Sequence, residues 1–189
     1  VFPQVPFVGM EPAVKPAVER TQSGVVGVLA TPATFQGELY ASVIERFAKG
    51  VKIIQDTCPG LVNQIEAGNL ESPQTRSILE EALTPMLAYN IDTIVLGCTH
   101  YPFVAPVLKQ MLPPQVRLME PSEAIARQTA RVLRERGLLC AGASPPRRVY
   151  ATTGPPPALR ASVRRFLGVD TEPLGLLWSH GHLRRHVQE

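Results

Sequence analysis

Short apolar, β-branched runs alternate with helical stretches along this chain, and that alternation predicts an α/β fold with parallel sheets. Two local observations point the same way. The run from Gly24 to Leu29 is apolar throughout, as a central parallel strand covered on both faces must be. A second run, Ile94-Val95-Leu96, stops at Gly97 and hands over at once to Cys98, Thr99 and His100. In parallel α/β proteins ligands bind outside the carboxyl ends of the strands, which is where this thiol, hydroxyl and imidazole should sit.

Taken in order, Phe7-Val8-Gly9-Met10 reads as a short buried strand, followed after Glu11-Pro12 by a helix through Val18. The strand Gly24–Leu29 leads into a helix over 35–48, and Lys52–Gln55 gives the next strand. A short helix is expected over Leu61–Ala67. Ser72-Pro73 opens a longer one, with serine as N-cap and proline in the first turn. That helix should run towards Tyr89, with Pro85 kinking or ending it. Thr93–Leu96 is the strand before the cysteine, and Phe103–Met111 the helix after it. Val116–Met119 is a further strand. A helix from Ser122 should stop at Gly137, the glycine expected past a helix C-terminus. Arg148–Thr152 is the last strand predicted, and a helix over Ala158–Leu167 ends at Gly168.

Bulk properties narrow the field. A chain of 189 residues can bury a real core as one domain or two small ones. No apolar run reaches the 18 or so residues of a membrane span, and the N-terminus lacks the pattern of a signal peptide. Three scattered cysteines suit reduced thiols, and a cytoplasmic location is expected from them. The net charge of +3 does not argue for nucleic acid. Arginines gather after Arg127 without interleaved RNA-binding aromatics, so a solvated surface is the better reading. Pro145-Pro146 and Pro155-Pro156-Pro157 read as turns or linkers.

A buried lone cysteine usually packs as a small hydrophobe. Cys98 differs by position: at a strand end, ahead of a helix and beside an imidazole, a thiol is placed to form a thiolate. His100 can assist proton transfer there, or serve only as a structural histidine. Thr99 and His100 offer backbone amides that suit a substrate carboxylate. Thr31 and Thr34 follow another strand end and either face the same cleft or pack beneath it. Cys58 and Cys140 are read as structural. A hydrolase pair of Cys98 and His100 is disfavoured, because such partners normally come from distant parts of a sequence. His180, His182 and His186 form an H-x-H-x-x-x-H pattern among arginines. With no paired cysteines nearby they read as part of a basic tail, and no metal site is expected. No nucleotide cradle or pyridoxal lysine motif is present, so no cofactor is expected.

Gly97-Cys98-Thr99-His100-Tyr101-Pro102 closely resembles the second cysteine motif of the bacterial glutamate racemases. Gly27-Val28-Leu29-Ala30-Thr31 resembles that family's glycine- and threonine-rich strand end. Cys58-Pro59-Gly60-Leu61-Val62 leading to Glu66-Ala67-Gly68 is similar to its C-P-x-x-V…E-x-G segment. Tyr150-Ala151-Thr152-Thr153-Gly154 is similar to its late strand and turn. The resemblance covers roughly residues 5–170 in family order.

What the resemblance implies is cofactor-independent inversion at the α-carbon of glutamate, supplying D-glutamate for peptidoglycan. Two thiols work from opposite faces, with Cys98 the base towards L-glutamate. It implies His100 as the assistant at Cys98 and Glu66 as the group that orients that imidazole. It also implies a two-lobed fold crossed twice by the chain. Met10-Glu11-Pro12 and Met119-Glu120-Pro121 fall near those crossings. Residues 11–120 would then be a complete lobe carrying Cys98. Residues 1–10 and 121–168 would be parts of the other lobe, and 169–189 a flexible tail. The family's D-S-G motif, Y-G pair and C-N-T-A motif do not occur in this sequence. The chain is therefore expected to be a racemase without its first third, inactive by itself. An aspartate or hydantoin racemase and a non-catalytic binding remnant stay open as alternatives. The expected partner is a small-molecule substrate, glutamate, with a homodimer as an open alternative and neither nucleic acid nor membrane.

Overall fold

The structure, a computed structural model, describes residues 4–140, 142 and 147–185, and the chain divides into two compact units, 1–139 and 140–189. The first unit runs α1 (Val14–Arg20), β1 (Val25–Leu29), α2 (Pro32–Phe35), α3 (Glu38–Phe47), β2 (Lys52–Asp56), α4 (Leu61–Ala67) and α5 (Pro73–Ala88). It continues with β3 (Thr93–Leu96), a 3-10 turn (Tyr101–Val104), α6 (Ala105–Met111), β4 (Arg117–Met119) and α7 (Ser122–Glu135). The four strands form one wholly parallel sheet in the order β2-β1-β3-β4. The α/β class with parallel strands is as the sequence predicts.

Alternation along β1 sorts its side chains between the two faces of the sheet. Val26 and Val28, with Val95 of β3, pack against Val14 and Ala17 of α1 and against Tyr40 and Val43 of α3. Gly27 faces the other way. A Cβ there would meet Met86 Sδ of α5 at 2.8 Å, so the bare glycine is what lets that helix lie close to the strand. On that side α5 and α6 bury Leu79, Leu83, Met86 and Leu108.

Ser72 caps α5 by accepting from the Thr75 amide at 3.2 Å. Pro85 does not end that helix, which runs on to Ala88. Its ring lies on the exposed side, where water can satisfy the carbonyl left without a donor. The single helix expected over 35–48 is two, because the backbone at Gly37 is extended (φ −73°, ψ 134°) and starts α3 afresh. Phe7–Met10 forms no strand. A lone extended segment gains nothing without a ladder partner, and Phe7 is left 79% exposed. After α7, Gly137 adopts φ +65° and Leu138 donates to the Leu133 carbonyl at 2.8 Å, a glycine-terminated helix end.

The second unit contains β5 (Ala151–Thr152), α8 (Pro156–Leu167), β6 (Leu174–Ser179) and β7 (His182–Arg185). β5 pairs parallel with β6, and β6 antiparallel with β7. The strand expected from Arg148 is only two residues long, since its partner starts at Leu174 opposite Ala151. Residues 174–185, expected to belong to a tail, form a hairpin instead. Its two-residue loop, His180-Gly181, has φ of +50° and +74°, the signs a tight hairpin turn of the I′ kind requires.

Candidate active site

In the order β2-β1-β3-β4 the chain leaves β1 to one side for β2 and returns on the other for β3. The crevice at the carboxyl ends of β1 and β3 is thus the topological switch point, where open α/β sheets bind ligands. Three loops converge there. The Gly97 amide donates to the Leu29 carbonyl at 2.8 Å, and the Ala30 amide to the Asp56 carbonyl at 3.1 Å. A Cβ on Gly97 would come within 2.9 Å of Ala30 Cβ and 3.1 Å of the Pro12 ring. Glycine before the cysteine is therefore a packing requirement that brings the end of β3 against the end of β1.

Cys98 follows, 6% exposed. Its Sγ lies 3.9 Å from His100 Nδ1, and His100 Nε2 lies 3.2 Å from Glu66 Oε1 at the end of α4. A carboxylate only accepts, so the imidazole bonded to it carries its proton on Nε2. In the neutral ring Nδ1 is then an open lone pair facing the thiol. This is the geometry of an acceptor for the Cys98 proton, oriented from behind by a carboxylate. Glu66 is open to water, its side chain 65% exposed against 35% for His100.

The two threonines named from the sequence are close by. Thr31 Oγ1 and Thr34 Oγ1 are 3.2 Å apart, and Thr34 Oγ1 donates to the Gly97 carbonyl at 3.4 Å. Thr99 is exposed beside Cys98. The single helix expected over Phe103–Met111 is instead a four-residue 3-10 turn, Tyr101–Val104, which begins inside the motif, followed by α6 over Ala105–Met111.

Cys58 makes a contrast with Cys98. It is 2% exposed and held at φ +44° by its own amide, which donates to Asp56 Oδ1 at 2.7 Å. Burial first, and then the Asp56 carboxylate, push its thiol pKa far up, which makes it a poor thiolate. Cys140 is exposed. Sequence reasoning missed Tyr101, whose buried hydroxyl donates to the Thr57 carbonyl at 2.9 Å. Its only sequence signal was its place inside the cysteine motif.

Other candidates lie apart from this crevice. A groove of about 820 Å³ is lined by Glu11 and Pro12 from one Met-Glu-Pro segment and by Met119, Glu120 and Pro121 from the other. Neither Cys98, His100 nor Glu66 borders it. His180 sits in the hairpin loop with Nδ1 2.9 Å from Ser179 Oγ, and His182 lies in β7. His186 lies outside the described residues. Among the described residues no helix is long and apolar enough to cross a membrane.

An α/β chain with a thiol, an imidazole and a carboxylate gathered at the switch point of its sheet, it matches over residues 2–129 the Asp/Glu/Hydantoin racemase family, to which it belongs. Over 141 residues it is 53% identical to the glutamate racemase of Pseudomonas syringae pv. tomato, an alignment covering 75% of this chain and 51% of that one. Among solved structures it is similar to the Escherichia coli glutamate racemase in complex with L-glutamate and the activator UDP-MurNAc-Ala. That match has a TM-score of 0.68 at 32% identity and covers 83% of this chain and 60% of the other. A glutamate racemase of Bacillus anthracis matches with a TM-score of 0.74 at 25% identity, over 88% and 61%. The chain spans about half the length of the curated relatives it matches.

Proposed function

We propose that this chain carries one half of a cofactor-independent glutamate racemase site, with Cys98 as the thiol that exchanges the α-proton of glutamate on one face. The observation that carries the reading is the contact line from Cys98 Sγ through the His100 ring to Glu66, set at the switch point of the sheet. In this reading His100 takes the thiol proton at Nδ1, and Glu66 keeps the ring turned and its Nε2 protonated. The thiolate then removes the α-proton of L-glutamate. Thr99 and His100 supply polar groups for the substrate carboxylate, with Thr34 fixing the strand end beneath them. The α-proton of an amino acid is weakly acidic, so fixed hydrogen bonds aimed at the developing carbanion must supply much of the stabilisation. D-glutamate formed in this way would serve peptidoglycan synthesis in the cytoplasm.

Inversion needs a second acid on the opposite face. Cys58, buried and disfavoured as a thiolate, is a poor one. The expected outcome for the chain alone is therefore α-proton exchange without efficient inversion, a deficit on the order of 10² to 10⁴ in rate. Loss of the Cα–H signal of L-glutamate in D₂O, followed by proton NMR, measures exchange, and circular dichroism follows inversion in the same sample. Cys98→Ala should abolish the exchange, and L-aspartate should exchange more slowly than L-glutamate. Exchange that survives Cys98→Ala would sink the reading.

A further inference from the structure

The contact between His100 and Glu66 is too exposed to hold itself. Even with the imidazole charged, a contact between a ring whose side chain is 35% exposed and a carboxylate whose side chain is 65% exposed is worth about 0–1 kcal/mol, too little to fix two side chains 34 positions apart in sequence. Something buried must set the distance between the loop carrying His100 and the helix carrying Glu66.

We propose that Tyr101 is the positioning residue for the site, its buried hydroxyl bond to the Thr57 carbonyl holding α4, and with it Glu66, at reach of His100. Tyr101 is 1% exposed and immediately follows His100. Its hydroxyl donates to Thr57 at 2.9 Å, and from Thr57 the chain reaches the start of α4 in four residues. That short link is itself tied down. The Cys58 amide donates to Asp56 Oδ1, the Leu61 amide to the Cys58 carbonyl at 3.0 Å, and Gly60 turns with φ +85° into the helix. Glu66 then lies in the last turn of a seven-residue helix anchored by buried Leu61 and Ile65. The result is a closed ring: His100 to Tyr101 by a peptide bond, Tyr101 to Thr57 by the buried hydrogen bond, Thr57 to Glu66 by a stiff turn and helix, and Glu66 back to His100. The buried bond is the strong member of this ring and the exposed one the weak member. Burial first, then the neighbouring Cys58, Cys98 and Asp56, push the phenol pKa up, so the hydroxyl remains a donor at any physiological pH.

This inference rests on the reading of Cys98, His100 and Glu66 as the working set, and the test separates the two. Iodoacetamide alkylation of Cys98 in the full chain is timed by peptide mass spectrometry, with Cys58 as an internal monitor of loosening. The imidazole ¹⁵N spectrum of His100 reports which nitrogen carries the proton. The proteins compared are the parent chain, Glu66→Gln, His100→Ala, Tyr101→Phe and the Glu66→Gln/Tyr101→Phe double variant. Glu66→Gln and Tyr101→Phe should each slow Cys98 alkylation by about fivefold, the worth of one hydrogen bond. Both should shift His100 towards a mixture of tautomers, with Cys58 still protected. The double variant should be no slower than Glu66→Gln alone, because both changes break one ring. Independent, multiplying effects would overturn the proposal, as would a parent-like tautomer and rate in Tyr101→Phe when Glu66→Gln is slow. If Glu66→Gln and His100→Ala both leave Cys98 unchanged, the reading of the site falls and the positioning role with it. Should Tyr101→Phe expose Cys58, 3-fluorotyrosine in place of tyrosine keeps the hydroxyl and strengthens it as a donor. The Nε2-protonated form must then be held at least as firmly as in the parent chain, and a loss of it would also overturn the proposal.

Discussion

At Asp92 one carboxylate gathers four donors and ties the turn before β1 to the start of β3. It accepts from the Gln22 and Ser23 amides at 2.6 and 2.9 Å and from the Thr21 and Thr93 hydroxyls at 2.8 and 3.1 Å. Burial alone would raise its pKa; the four hydrogen bonds outweigh that and bring it down to about 2. The unfolded value is about 3.9, so the folded form holds its proton less tightly. Its stabilisation is in full force above about pH 4 and is lost as pH falls towards 2. Asp92→Asn should therefore cost about 1–2 kcal/mol near neutral pH, at the modest end because the site is open to water. In urea titrations the gap between the two proteins should close between pH 4 and 2. A gap undiminished at pH 2 would mean that shape, not charge, matters at this position. The same scale shows what a sequence reveals of a site. Cys98 and His100 were legible because two residues of separation hold them together in any fold. Glu66 was legible only through the resemblance, since nothing in a solvent-facing glutamate announces a partner 34 residues on. The Tyr101 bond was hidden because its acceptor is a backbone carbonyl, which every residue has.

Among the elements, those with strong local rules were readable to within a residue or two: α4 between two left-handed glycines, α5 behind its serine cap, and β3 as an apolar run. The hairpin of β6 and β7 was not. Its second strand has four exposed residues and no apolar alternation, so it is held by ladder hydrogen bonds and a turn more than by burial. Phe7–Met10 erred in the other direction, having a strand's composition but no neighbour to pair with. Gly97 and Gly27 give a quantitative check on how the elements pack. Both would place a new methyl within 3 Å of another atom, but Gly27 meets a flexible methionine and Gly97 meets Ala30 Cβ and a proline ring. Gly97→Ala should cost about 2–3 kcal/mol and Gly27→Ala about 1 kcal/mol, measured by denaturant unfolding. The reverse order would show that the strand ends at the crevice are looser than this packing requires.

For the molecule as a whole, the division after Leu139 means that the four-stranded sheet and all the proposed site residues belong to one unit. Arg147 and Arg148 are exposed just beyond it. Brief trypsin treatment should cut there before it cuts at Arg46 or Lys52, and a chain of residues 1–139 should keep the parent rate of Cys98 alkylation. Early loss of β2 peptides would disprove that unit. The central place of β1 also has a kinetic meaning. Its pairing with β2 joins Val25 to Lys52, whereas its pairing with β3 joins Val26 to Thr93, more than twice as far along the chain. The longer closure costs only about 1 kcal/mol more, yet long-range parallel pairing is the slow kind of contact. Cys98 reaches the crevice only when that pairing is made. During synthesis the thiol therefore emerges before the pocket that would harness it, and its exposure to oxidants in that interval depends on how fast one strand finds its place.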